Sequence, residues 1–135
     1  MVALIRARGA ASEMARLFDA DPLPGLDWPD SIWPGDHVPV VSQAGDRCRL
    51  TTMSWGLPQT QLKVPLPPAQ RAGFYSRDLV ADASRLRDPG ALDHCLIILE
   101  AWATPAGRSG QRTRQWTGLW DEPLVAWAAL CTSDG

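Results

Sequence analysis

Residues 38–55 read VPVVSQAGDRCRLTTMSW, and this stretch decides the fold. The β-branched run Val38–Ser42 predicts a strand, and Ala44-Gly45-Asp46 predicts a turn. Arg47–Trp55 alternates in polarity as a returning strand does, so the segment reads as a β-hairpin. Working outward, Cys95–Ala103 is the most apolar strand candidate. Trp116–Trp120 and Leu124–Thr132 form two more around Asp121-Glu122-Pro123, with Gly107–Gln111 as a hairpin-like loop. Tyr75–Leu79 is short and either extended or turning. Ser12–Ala20 predicts a helix: Ser12 caps it, Glu13 lies in its first turn, and Met14, Leu17 and Phe18 share one face. Asp21-Pro22 would end it. Arg85–Asp93 reads as a short helix or turn broken at Pro89-Gly90. Residues 22–36 form an ordered Pro/Asp/Trp-rich loop, and Gly56–Gly73, with four prolines, is irregular. The expected class is α+β, mostly antiparallel, with about two short helices and a curled or barrel-like sheet.

The chain has 135 residues and reads as one domain, 1–135. A chain this long buries enough surface to fold without a metal or disulfide. Apolar residues at 45% and charged residues at 21% exclude a disordered chain. No apolar run approaches the roughly 20 residues of a membrane helix. Met1–Ala11 lacks the apolar core of a secretory signal. Cys48, Cys95 and Cys131 form no CxxC pair, and His37 and His94 are scattered, so no metal or cofactor site is expected. These features point to a cytoplasmic protein with no membrane partner.

The net charge of −2 conceals a segregation. Residues 1–46 carry three Arg against seven acids, whereas 47–77 carry Arg47, Arg49, Lys63, Arg71 and Arg77 and no acid. Residues 104–116 add Arg108, Arg112 and Arg114, again without an acid. These acid-free stretches hold aromatic neighbours: Trp55 near Arg47 and Arg49, Phe74 and Tyr75 beside Arg77, and Trp116 near Arg114. Single-stranded nucleic-acid grooves need stacking faces for bases and guanidinium groups for phosphates. The rival reading is a set of solvated loops paired with the acidic segments. The chain has no GxGxxG, P-loop, HExxH or GxSxG motif. Trp102, Trp120 and Trp127 alternate with small apolar residues and read as core, while Trp28 and Trp33 would pin the long loop. Glu100 is an acid inside an apolar strand, either facing solvent or buried with a raised pKa.

Several blocks, in order, resemble the SOS-response-associated peptidase (SRAP) family. They are Ser12-Glu13-Met14-Ala15-Arg16-Leu17-Phe18, Val38-Pro39-Val40-Val41, Met53-Ser54-Trp55-Gly56-Leu57-Pro58, Tyr75-Ser76-Arg77, His94-Cys95-Leu96-Ile97 and Gly118-Leu119-Trp120-Asp121. The resemblance implies an SRAP-like fold that binds single-stranded DNA. The family forms covalent links to abasic sites through an N-terminal Cys. Here Val2 stands at that position, Tyr75 at the catalytic Asn and Thr104 at the catalytic Glu. The family's late His has no counterpart before Gly135, which implies a C-terminally shortened domain. Of the family's DNA-facing set, Trp55 and Arg77 remain; Trp55 reads as a stacking wedge or as a core residue, and Arg77 as a phosphate ligand or as a salt-bridge partner of Asp78 or Asp82.

Three readings follow. The first is a catalytically degenerate SRAP-like protein that binds single-stranded or damaged DNA through Trp55, Arg77, Arg47, Arg49, Arg71, Arg112 and Arg114. The second is a protein-interaction or structural module in which an exposed sheet edge pairs with a second copy or another partner. The third is Schiff-base chemistry at an abasic aldehyde by the α-amine that removal of Met1 would give Val2, reversible because no thiol closes a ring.

Overall fold

A computed structural model describes residues 4–73, 83–108, 110–111, 113–119 and 121–132. The hairpin read from 38–55 is its centre. Strand β4 (His37–Ala44) pairs antiparallel with β5 (Arg47–Ser54) along its whole length, from His37 opposite Ser54 to Ala44 opposite Arg47. Gly45 has φ 69 at the first position of the two-residue loop, where a type II′ turn requires positive φ. Pro39 sits inside β4 without harm. Neighbouring β6 (Leu92–Leu99) pairs only with Val40–Ser42, so the N–H that proline lacks is not needed there.

Two sheets form. The first has the order β2-β5-β4-β6-β9, with β2 at Ala20–Pro22 and β9 at Val125–Thr132. The second has the order β3-β1-β7-β8, with β1 at Leu4–Arg6, β3 at Ser31–Ile32, β7 at Ala101–Ala106 and β8 at Thr113–Thr117. The α+β class with mostly antiparallel pairing is therefore observed; β2–β5 is parallel. The sheets do not close into a barrel. The strand expected over Cys95–Ala103 breaks at Glu100, whose N–H donates to the Arg6 carbonyl at 2.8 Å and passes the chain from one sheet to the other. Gly118 approaches this crossing so closely that a Cβ would lie 2.8 Å from the Glu100 carbonyl oxygen.

The first helix, α1, spans Ala11–Leu17, shorter than expected. Ala10 rather than Ser12 occupies the N-cap position, and no side chain caps it. The helix stops before Asp21-Pro22 because Asp19 turns left-handed at φ 48, a conformation that Asp tolerates. Asp21-Pro22 instead extends along β5 at a sheet edge, where proline is accommodated. Within Gly56–Gly73, Gln59–Gln61 forms a 3-10 turn and Pro68–Arg71 a one-turn helix, α2. Residues 83–85 and 89–91 are also 3-10 turns.

Ile5, Met14, Ile32, Leu50, Ile98 and Leu99 are fully buried in a core drawn from α1 and both sheets. Trp102 and Trp127 meet edge to face across it, with ring centroids 5.6 Å apart. A smaller cluster of Leu57, Leu62, Leu86, Leu92 and Leu130 anchors the proline-rich segment. No helix of the described residues is long and apolar enough to cross a membrane.

A candidate single-stranded nucleic-acid interface

Trp55, the leading stacking candidate from the sequence, is only 3% exposed and belongs to the core. It is fixed by its backbone: its N–H donates to the Asp36 carbonyl, and its carbonyl accepts from Gly35. A ring so enclosed offers no face to a base, so the stacking reading of Trp55 is corrected and its core reading holds. The cations read with it are dispersed. Arg47 pairs with Asp21 at 2.8 Å on the surface. Arg49 is exposed on β5, opposite Asp21 in register. Arg71 donates to the carbonyls of Leu66 and Leu57, both at 3.2 Å, and so braces its own loop. Val2, Phe74, Tyr75, Arg77, Arg112 and Trp120 lie outside the described residues. Thr104 stands on β7 opposite Gln115.

Among the described residues, Arg114 is the sequence candidate that the structure joins to an aromatic face. Its guanidinium lies 4.8 Å from the centre of the Trp33 ring. A second pair flanks it: Arg6 lies 4.1 Å from the centre of the Trp116 ring. Register puts these groups together. Leu4 opposes Ala103, Ala103 opposes Trp116, Arg6 opposes Ala101 and Ser31, and Arg114 opposes Pro105. Residues opposed across a ladder, and every second residue along a strand, share a face. One face of the four-stranded sheet thus carries Arg6, Trp116, Arg114 and, just past β3, Trp33. The opposite face holds Ile5, Ile32 and Trp102, which pack into the core.

The small residues Ala101 and Ala103 leave room on β7 for rings to cross the sheet. A cavity of about 320 Å³ lies there, lined by Leu4, Trp33, Ala103 and Arg114 among others. Trp33 is 42% exposed, and its backbone N–H donates to Asp36 Oδ2 at 2.9 Å, which fixes the main chain there. Trp33 thereby joins the long loop to this face. Trp28 pins the loop too, through a bond from its Nε1 to the Ala7 carbonyl. Pro105, like Pro39, lies beyond the register of the next strand, since β1 pairs only with Ala101–Ala103.

Glu100 borders this face and is neutralised. Arg8 donates to it three times: backbone N–H and Nε to Oε1 at 3.0 and 2.8 Å, and Nη2 to Oε2 at 3.4 Å. Partial burial pushes its pKa up, but the Arg8 bonds outweigh this and hold the carboxyl below its ordinary value. The alternative of a raised pKa is thereby corrected. Among the described residues, no acid stands on the strand positions of the Trp/Arg face.

Sequence reading missed Arg6 and Trp33. Arg6 lies on a three-residue strand and Trp33 just past a two-residue one, both too short to show a period.

A solved protein shares this fold. It comes from Bordetella bronchiseptica and was determined by the Northeast Structural Genomics Consortium. The superposition has a TM-score of 0.67 at 20% identity and covers 95% of this chain. This chain spans 62% of that protein's length. No family model and no curated protein matches the sequence.

Proposed function

We propose that this chain is a non-catalytic, SRAP-like binder of single-stranded nucleic acid, and that DNA is its ligand. The supporting observation is the pair of Arg–Trp stacks on one sheet face, Arg6 on Trp116 and Arg114 on Trp33. Indole faces stack bases whatever their identity, and guanidinium groups pair with the phosphates between them. Such a face binds without base readout, because every base has a π-face. The SRAP resemblance supplies the DNA and damage context, and Val2, Tyr75 and Thr104 at its catalytic positions argue against covalent turnover.

The test is anisotropy of labelled oligonucleotides, intact or carrying one abasic site, at low and physiological salt, followed by borohydride trapping. The expected result is salt-sensitive binding to both strands and no trapped adduct. Each phosphate contact contributes about −0.7 to the slope of log K on log salt for a single strand. Changing Arg6 and Arg114 to Gln therefore flattens the slope by about 1.4. A trapped adduct would instead revive amine chemistry at Val2, and absence of binding at low salt would end the proposal.

One observation favours a second reading. Strand β9 is eight residues long and forms a sheet edge among the described residues. An edge of that length is a template for another strand. Dimerisation through β9, detected by sedimentation and abolished by an Ala128→Pro change, would support it.

A further inference from the structure

The five-stranded sheet has a cavity of its own, of about 360 Å³, lined by none of Arg6, Trp33, Arg114 or Trp116. Its floor is the sheet face that carries Val38, Val40, Cys95, Ile97, Ala129 and Cys131, and Trp55 and Arg71 also line it. Cys95 opposes Ala129 and Asp93 opposes Cys131, so the two cysteines stand diagonally on β6 and β9. The two thiols are near enough that each perturbs the ionisation of the other. Cys48 opposes Gln43 on the other face of the sheet.

We propose that Cys95 and Cys131 form a two-thiolate site for a soft, two-coordinate cation of the Cu(I) class. A direct disulfide suits the geometry poorly. Diagonal positions of antiparallel strands lie about 7–8 Å apart at Cα, beyond the usual disulfide reach of about 4.4–6.8 Å. A bridging atom with metal–sulfur bonds of about 2.3 Å spans the extra distance. Thiolates select soft cations. Among the described residues no third or fourth ligand joins them, which suits two-coordinate Cu(I) and not tetrahedral zinc. Two further features fit an anionic occupant. Trp55 Nε1 is buried without a hydrogen-bond partner in the cavity wall, a donor free for a thiolate sulfur. Arg71 brings a positive charge to the same wall. The neighbouring Cys95 thiol holds the pKa of Cys131 down, while Cys131 and burial push that of Cys95 up. Binding is balanced: two thiols and one Cu(I) give one bis-thiolate complex of charge −1 and release two protons.

The experiment titrates the reduced, folded protein with Cu(I) under nitrogen against bathocuproine disulfonate. One equivalent is expected for the wild type and for Cys48→Ser, and loss of that end point for Cys95→Ser and for Cys131→Ser. Circular dichroism checks that each variant is folded. A second probe needs no variant. Phenylarsine oxide condenses with two thiols and releases one water, so the thiols titratable after denaturation fall from three to one. Peptide mapping should place the arsenic on Cys95 and Cys131. Retention of Cu(I) by both cavity variants, capture of Cys48, or failure of the arsenical to react would each overturn the proposal.

Discussion

Replacing Trp33 by Ala separates binding from folding. Trp33 is 42% exposed, and its ring touches the Arg114 guanidinium. Losing an exposed cation–π contact costs about 0.5–1 kcal/mol of stability. Losing a base-stacking platform costs about 1–3 kcal/mol of binding. The second figure corresponds to a rise in Kd of about 5- to 150-fold. Trp33→Ala should therefore leave a protein that melts within a few degrees of wild type and binds an oligothymidylate at least fivefold more weakly. Anisotropy at low salt measures the binding, and thermal circular dichroism the fold. Trp116→Ala should behave alike, since Arg6 covers its ring as Arg114 covers that of Trp33. If both variants bind within twofold of wild type while remaining folded, the stacking argument is wrong and the rings serve only the sheet.

Other outcomes follow from packing and charge. Trp55→Ala should cost about 3–5 kcal/mol in urea unfolding, as large-to-small core changes do, whereas Trp55→Phe, which removes an unpartnered N–H, should leave DNA affinity within twofold. Gly118→Ala should destabilise by about 1–3 kcal/mol, because its Cβ would meet the Glu100 carbonyl at 2.8 Å. Glu100 has a folded pKa below its unfolded value of about 4.3, so its contribution is present above that value and is lost as pH falls through the folded pKa. Glu100→Gln should lower Tm at pH 7 and leave it unchanged at pH 2, as scanning calorimetry would show.

The hairpin at 38–55 was legible because turn and strand signals there are local: β-branched residues, a glycine at the loop and eight paired positions. The apolar run at Cys95–Ala103 was legible as strand but not as two strands. Its break depends on Glu100 meeting Arg6 and Arg8, more than ninety residues earlier. Ser12 carries a capping side chain, yet the helix begins one residue before it. The tertiary packing of Met14 and Ala15 is met by a start at Ala11.

The candidate site shows the same division. Arg–aromatic proximity in sequence selected Trp55 with Arg47 and Arg49, and the fold separated them by burying the indole. It selected Arg114 beside Trp116, and the fold paired Arg114 with Trp33 and Trp116 with Arg6 instead. Local sequence by itself determined that the chain is α+β, where its main hairpin turns, and that arginine and tryptophan are its chemical resources. Only the tertiary structure decided which of them share a face. Strand alternation sets which side of a strand a residue takes, but long-range register sets its neighbours, and in β1 and β3 too few residues exist for any pattern to announce either.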